Sequence, residues 1–240
     1  MIKDYIKKSE NTWDTIAKSF DTTRQKPWDE CINFIKELPK NSIVIDIGCG
    51  NGRHLMPCTK KCKKCIGLDV SKELLKIVKN KINQKMIKNV DLIHSDAINI
   101  PLKKNSVDAV LFIATLHNIS NRNNRIKSLK ELNRILKPEG KAIISVWSRC
   151  QDKFRQYFKK ESTKKSEKKE FGDIDIYWRK NGLDTIRFYH LYSKKEFIED
   201  IKKAELKLLD IKDFKFCSKK YPDNFFAYVK KEHNILNIIS

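Results

Sequence analysis

The stretch Ser42-Ile-Val-Ile-Asp46-Ile-Gly48-Cys49-Gly50-Asn-Gly52 decides the fold of this 240-residue chain. Its first half is a near-continuous apolar run, which marks a strand buried on both faces and hence a parallel sheet. Its second half holds three of the chain's seven glycines within five residues. Glycine tolerates positive φ and leaves room for a ligand against the main chain, so a strand running into such a loop predicts a binding turn before the first core helix.

Outward from this point, short apolar runs alternate with amphipathic ones, as βαβ units require. Leu74, Leu75 and Val78 predict a helix over 71–88. Ile126, Leu129, Leu132, Ile135 and Leu136 predict another over Arg122–Leu136, stopped by Pro138 and Gly140. Strands are expected at 65–69, 90–95, 107–114 and 141–147, then a helix over 193–204 and closing strands at Glu205–Phe216 and Phe225–Lys230. The expected architecture is α/β and Rossmann-like, in one domain over 1–240. It comprises a helical N-terminal segment 1–38, a core 39–150, a basic mobile insert 151–182, a C-terminal segment 183–231 and a tail 232–240.

Composition bounds the rest. Hydrophobic residues make up 40% of the chain, enough for a packed core. No apolar run approaches the eighteen or so residues of a membrane span. The charged N-terminus MIKDYIKKSENTWD has no signal-peptide core, so a cytoplasmic protein without membrane contact is expected. Seven cysteines fit free thiols in a reducing compartment. Cys58, Cys62 and Cys65 form C-x3-C-x2-C but bring no fourth ligand, so no metal is expected. The net charge of +21 would suit a polyanion. Yet 42 of the 51 basic residues are lysines spread along the chain, a bias that an AT-rich genome also produces.

Three acids close successive strands beside the glycine loop. Asp46 suits a ligand's ammonium group, directly or through water. Asp69, 21 residues after Gly48, can accept from both ribose hydroxyls. Asp96 can accept from an adenine amino group, with Ala97 against the ring. Together they predict an adenosyl cofactor, S-adenosyl-L-methionine, on Asp46, Gly48, Cys49, Gly50, Gly52, Asp69, Val70, Asp96, Ala97, Ile113 and Leu116. The fourth strand ends Phe112-Ile-Ala-Thr-Leu-His117-Asn118, where a substrate-facing histidine is expected.

With these residues in place, the chain resembles the tRNA wobble-uridine carboxymethyl methyltransferases of the class I family. The likeness rests on Asp46–Gly52, Asp69 and Lys137-Pro-Glu-Gly140, and more specifically on Ile16-Ala…Phe20-Asp-Thr-Thr-Arg24-Gln-Lys26-Pro-Trp28. It extends to Gly50-Asn-Gly-Arg53-His-Leu55, Ser145-Val-Trp147, Arg187-Phe-Tyr-His190-Leu-Tyr192 and Asn224-Phe-Phe. The family's usual second histidine is Asn118 here, and Ser-Arg149-Cys follows Trp147.

The resemblance implies a mostly parallel seven-stranded sheet with an antiparallel last strand and helices on both faces. It further implies methyl esterification of the 5-carboxymethyl group of a wobble uridine in the tRNA anticodon. Arg24, His117, Arg187 and His190 would then be catalytic, the cationic ones holding a substrate anion. Lys26, Trp28, Arg53, Asn118, Trp147, Arg149 and Tyr192 would bind substrate. A small zinc-binding activator subunit is the implied partner. The alternatives are a class I methyltransferase for a small metabolite, a silent cofactor-fold protein that binds RNA or a partner, and a nucleotide-dependent oxidoreductase.

Overall fold

A computed structural model describes residues 2–162 and 170–232. Five parallel strands form the first part of the sheet: β1 (Ile43–Ile47), β2 (Lys64–Asp69), β3 (Val90–His94), β4 (Val107–Ile113) and β5 (Leu136–Trp147). The strands β8 (Leu206–Phe214) and β9 (Asn224–Lys231) complete it in the order β3-β2-β1-β4-β5-β9-β8. β9, the last strand in sequence, runs antiparallel between β5 and β8, pairing Ile144 with Ala227 and Ile211 with Ala227 on its two sides.

Strand pleat splits the core into two layers. Val44, Ala109, Leu111 and Ile143 face α2 (Asp29–Glu37), α3 (Leu55–Thr59) and α4 (Lys72–Gln84), through Phe34, Ile35, Leu55, Cys58, Leu75 and Val78. Their neighbours Ile45, Val110, Phe112 and Ile144 face α5 (Arg122–Ile135) and α7 (Lys194–Lys203), through Leu129, Leu132, Phe197 and Ile201. Ser71 and Ser193 cap α4 and α7 by accepting from the amides of Leu74 and Glu196. No helix among the described residues is long and apolar enough to cross a membrane.

The structure differs from expectation in the insert. Residues Asp152–Glu161 form a helix, α6, that buries Phe158. Asp173–Trp178 (β6) pairs antiparallel with Thr185–His190 (β7) as a separate two-stranded sheet. Ile174, Ile176 and Trp178 alternate with polar residues, the period of a half-buried strand, beside a Lys- and Glu-rich stretch that conceals it. Residues 163–169 of the expected insert and 233–240 of the expected tail lie outside the described residues. The N-terminal segment is α1 (Ile2–Thr23) followed by α2.

Candidate active site

A cleft of about 550 Å³ opens at the C-terminal ends of β1, β2 and β4, where a doubly wound sheet offers a binding crevice. The glycine loop forms its floor. Gly48 sits at φ +68°, and a Cβ there would come within 2.3 Å of Thr115, so only glycine fits between the loop and the end of β4. The Asp69 carboxylate holds the loop, accepting from the amides of Gly50 at 2.8 Å and Ser71 at 2.9 Å. Burial raises its pKa to about 6. Asp46 is 1% exposed, and its Oδ2 has no hydrogen-bond partner in the structure. Burial, reinforced by the Asp69 charge, raises Asp46 to about 8. A buried carboxylate oxygen left this way calls for an ammonium group or a water. Ser95, Asp96, Ala97 and Val70 line the same cleft. Glycine backbone, an orphaned acid and a row of nucleoside-side acceptors fit the expected adenosyl amino-acid ligand.

α1 covers the cleft from the N-terminal side. Its Asp14 accepts from Ser71 Oγ at 2.6 Å and from the Glu73 amide at 3.0 Å, fixing the helix to the start of α4. Asp21 accepts from Asn51 at 2.8 Å and Lys81 at 2.6 Å, tying its far end to the glycine loop. Ser19 joins α1 to the hairpin, accepting from Trp178 Nε1 at 2.9 Å and from Asn181 at 3.1 Å. Trp13 and Phe20 lie on the cleft side, seven residues and so two helical turns apart.

Three arginines converge on the opening. Arg24, Arg53 and Arg187 all line the cleft, and none has a carboxylate within ion-pair distance among the described residues. Burial, assisted by the Arg24 charge, lowers Arg53 to about 10. The same two causes lower Arg187, whose Nε is buried without a partner while Nη1 donates to Tyr189 Oη at 2.6 Å. Arg53 stacks over Trp28 at 4.7 Å, and Arg187 lies against Trp178 at 4.8 Å. Guanidiniums gathered without acids, two of them desolvated, have the chemistry to take an anion.

His117 stands beside them, 1% exposed. Its Nδ1 accepts from the Trp147 amide at 3.1 Å, which leaves the proton on Nε2. Burial, with the charges of His190 and Arg187, lowers its pKa to about 3. It is therefore a neutral donor at physiological pH, and the cationic character of this wall comes from the arginines. Tyr189 stacks on both His117 and Trp147, at 5.2 and 4.8 Å, giving this wall a continuous aromatic surface.

Several expected site residues lie elsewhere. His190 is 1% exposed and bonded on both ring nitrogens, to Asp173 and Glu196, each at 2.8 Å. Burial lowers its pKa, but the two carboxylates outweigh that and the net direction is up. It is a structural ion-pair centre, because alternation along β7 turns it away from Arg187 and Tyr189. Tyr192 is fully buried with its hydroxyl on Asp200, so it stacks on no substrate. Arg149 turns to the Phe171 carbonyl and Glu196, outside the cleft. Lys26 is exposed and does not line the cleft, and Gly52, Leu116 and Asp46 lie behind its lining. Trp28, Asn118, Trp147, Cys49 and Ile113 do line it. Cys58, Cys62 and Cys65 are buried in the layer under α3.

The sequence reading missed Trp13, Phe20, Thr115, Tyr189 and Phe216 as lining residues. Tyr189 is two residues from Arg187 on one strand face, a signal present in the sequence. Thr115 lies in the run 112–118 at the end of the fourth strand, where a substrate-facing residue is expected, and Phe216 carries none.

A methyltransferase-domain family model matches residues 45–144. The chain is 37% identical over 140 residues to a mouse tRNA (carboxymethyluridine(34)-5-O)-methyltransferase, covering 58% of this chain and 20% of that protein. A fission-yeast (Schizosaccharomyces pombe) protein of the same designation is 30% identical, covering 82% of this chain and 88% of that one. The chain spans only 20–32% of the length of the vertebrate and plant relatives it matches. A putative methyltransferase from Haloferax volcanii, solved with the Trm112 methyltransferase activator, superposes at a TM-score of 0.70 with 15% identity over 94% of this chain and 98% of that one.

Proposed function

The chain belongs to the tRNA (carboxymethyluridine(34)-5-O)-methyltransferase family, and on that premise we propose that it methylates the carboxymethyl oxygen of a wobble uridine, using S-adenosylmethionine. The observation that carries this reading is the meeting of three carboxylate-free arginines with a neutral histidine at the mouth of a nucleoside-type cleft. A substrate whose reacting group is an anion explains that excess of positive charge. A neutral metabolite would leave it without a purpose.

The residues divide the work. The glycine loop, Asp69, Asp96 and Ala97 would hold the cofactor, with Asp46 behind the lining reaching its ammonium group through water, and the cofactor supplies a methyl group activated by its sulfonium charge. The substrate carboxylate is ionised at neutral pH, since its pKa lies near that of glutamate, so no general base is needed. Arg24, Arg53 and Arg187 hold the carboxylate and neighbouring phosphates, with guanidinium forks suited to oxyanions. The Nε2–H of His117 donates to the oxygen that does not react. Trp13, Phe20, Trp147 and Tyr189 exclude water, which strips the reacting oxygen of solvent and fixes its direction; orientation of this kind supplies several kcal/mol. Trp28, with Arg53 and Phe216 stacked on it, packs the cleft wall, and Trp147 is the aromatic offered to a base of the anticodon loop. Residues 1–38 act as the lid on the substrate side, and the protein works in the cytoplasm.

A small activator subunit, zinc-binding by resemblance, is the proposed partner. Support comes from the solved complex of a protein of the same fold with the Trm112 activator. The sheet's two edge strands, β3 and β8, leave unpaired backbone for it, with Met86 and Leu209 exposed beside them.

The test uses methyl-labelled S-adenosylmethionine and bulk tRNA, with and without an activator subunit. Label that enters tRNA and leaves as methanol in mild alkali is expected, because an ester hydrolyses that way. Alkali-stable label would sink the carboxylate chemistry. Tight cofactor binding without any transfer to tRNA would favour a small-metabolite substrate.

A further inference from the structure

One wall of the cleft continues into a basic rim that the chemistry at its floor does not use. It is built from α6 and the segment 215–222 that joins β8 to β9. Lys153, Phe154, Phe216 and Cys217 line the cleft itself, so rim and cleft are one surface. Beyond them Arg155, Lys215, Lys219 and Lys220 are exposed. Like Lys153, they have no carboxylate within ion-pair distance among the described residues.

The acids of this region serve the backbone instead. Asp152 accepts from the amides of Lys219, Lys220 and Tyr221 at 2.8–3.0 Å. Asp223, 4% exposed, accepts from the amides of Phe216, Cys217 and Ser218. Six consecutive amides, from Phe216 to Tyr221, are thus held by two side chains. The segment is a fixed loop that presents its lysines outward. Arg155 lies over the Tyr221 ring at 3.8 Å, which orders its guanidinium as well. Five exposed cations, of which Arg155, Lys219 and Lys220 are held in place, lie on one surface continuous with the cleft and suit a polyanion better than a single anion.

We propose that Lys153, Arg155, Lys215, Lys219 and Lys220 form the track on which the phosphate backbone of the RNA lies while its modified base enters the cleft. This rests on the RNA reading given above and deepens it by assigning the docking surface. Such contacts position the RNA without reading its sequence.

The full-length chain, with any activator it requires, would be titrated with tRNA over a range of salt concentrations. A quadruple variant Lys153→Gln, Arg155→Gln, Lys219→Gln, Lys220→Gln would be compared with a control quadruple of exposed lysines around the N-terminal ends of β1 and β2: Lys36→Gln, Lys40→Gln, Lys60→Gln, Lys63→Gln. Each engaged cation contributes about 0.7–0.9 to the slope of log affinity against log salt. The rim variant should therefore lose about 3 from that slope, and its KM for tRNA should rise at least tenfold. Its S-adenosylmethionine affinity should stay at the wild-type value, which also shows that it is folded. The control should keep the wild-type slope. A wild-type slope in the rim variant, or an equal loss in the control, overturns the track while leaving the RNA reading in place. Failure of the wild-type protein to bind or methylate tRNA overturns both.

Discussion

Two arginine–histidine pairs surround the β6–β7 hairpin, and they are treated in opposite ways. Arg187 and His117 face the cleft: the arginine has no acid and keeps a buried Nε without a partner, and the histidine is held neutral. Arg125 and His190 lie in the interior. Arg125, fully buried, bonds Glu170 at 2.6 Å, and His190 is bracketed by Asp173 and Glu196. The single run Arg187-Phe-Tyr-His190-Leu-Tyr192 feeds both places, because a strand turns successive side chains to opposite faces. The first region leaves its charges uncompensated and can bind. The second pairs them and ties the structure together.

The comparison is tested most severely in the paired region. Replacing Arg125 by Met takes the guanidinium from Glu170, whose carboxylate is 37% exposed and keeps the Arg122 amide, and empties a space in the core. Losing a hydrogen bond between charged groups costs about 1.5–3 kcal/mol, and the emptied space adds to it. At roughly 2–4 °C per kcal/mol for a chain of this size, Tm should fall by about 10 °C in a thermal melt. Transfer to tRNA, measured well below that Tm, should stay within about threefold of wild type. A large loss of activity in a folded Arg125 variant would break the division into binding and structural halves.

The mirror experiment is Arg187→Met. Hydrogen bonds to charged groups contribute about 1.5–3 kcal/mol, so kcat/KM for tRNA should fall roughly a hundredfold. The affinity for S-adenosylmethionine, read by calorimetry, should change by less than about threefold. Arg187→Lys keeps the charge but loses the planar fork, and should recover only part of the rate. Recovery to wild type would show that charge alone matters at this position.

The sequence carried the frame of this molecule further than its active surface. The buried run Ser42–Ile47, the glycines after it and the acids Asp46, Asp69 and Asp96 placed the sheet and the cofactor end of the cleft, since each is tied to a strand terminus by local pattern. The helical stripe from Ile126 to Ile135 was equally plain. The substrate wall was less legible. His190 and Arg187 stand three residues apart in one motif, and only the pleat of β7 separates their roles. The β6 strand was hidden because its alternation lies next to a polar, low-complexity stretch. Phe216 reaches the cleft through a loop, whose path no local period encodes.

Titration separates the two histidines. Burial, with the His190 and Arg187 charges added, holds His117 neutral in the fold, at about 3 against 6.5 in the unfolded chain. Unfolding therefore takes up a proton at His117 as pH drops below 6.5. Its share of the stability is complete above that value and is lost progressively towards pH 3, amounting to about 2 kcal/mol at pH 5. His190 has its pKa raised, so its share is present in acid and declines as pH rises through that raised value. His117→Asn keeps an acceptor for the Trp147 amide and cannot titrate. Melts from pH 7.5 to 5 should show the variant gaining on wild type as the pH falls. A constant difference between them would mean that His117 titrates normally in the fold.

The smallest effect sought concerns the joint between the lid and the wall that carries Arg187. Ser19 on α1 accepts from Trp178 Nε1 and Asn181 in the hairpin, and it is 3% exposed. Ser19→Ala would leave the indole N–H without an acceptor, at a cost of about 1 kcal/mol. If α1 and the hairpin close the cleft as one unit, that cost should appear as a fewfold rise in KM for tRNA as well as a small drop in Tm. A double-mutant cycle with Arg187→Met decides between the routes. An interaction energy above about 0.5 kcal/mol in tRNA binding would mean that Ser19 acts through the placement of Arg187. Strict additivity would mean that it supports the lid alone, and that the unpaired region owes its geometry to the hairpin rather than to the helix above it.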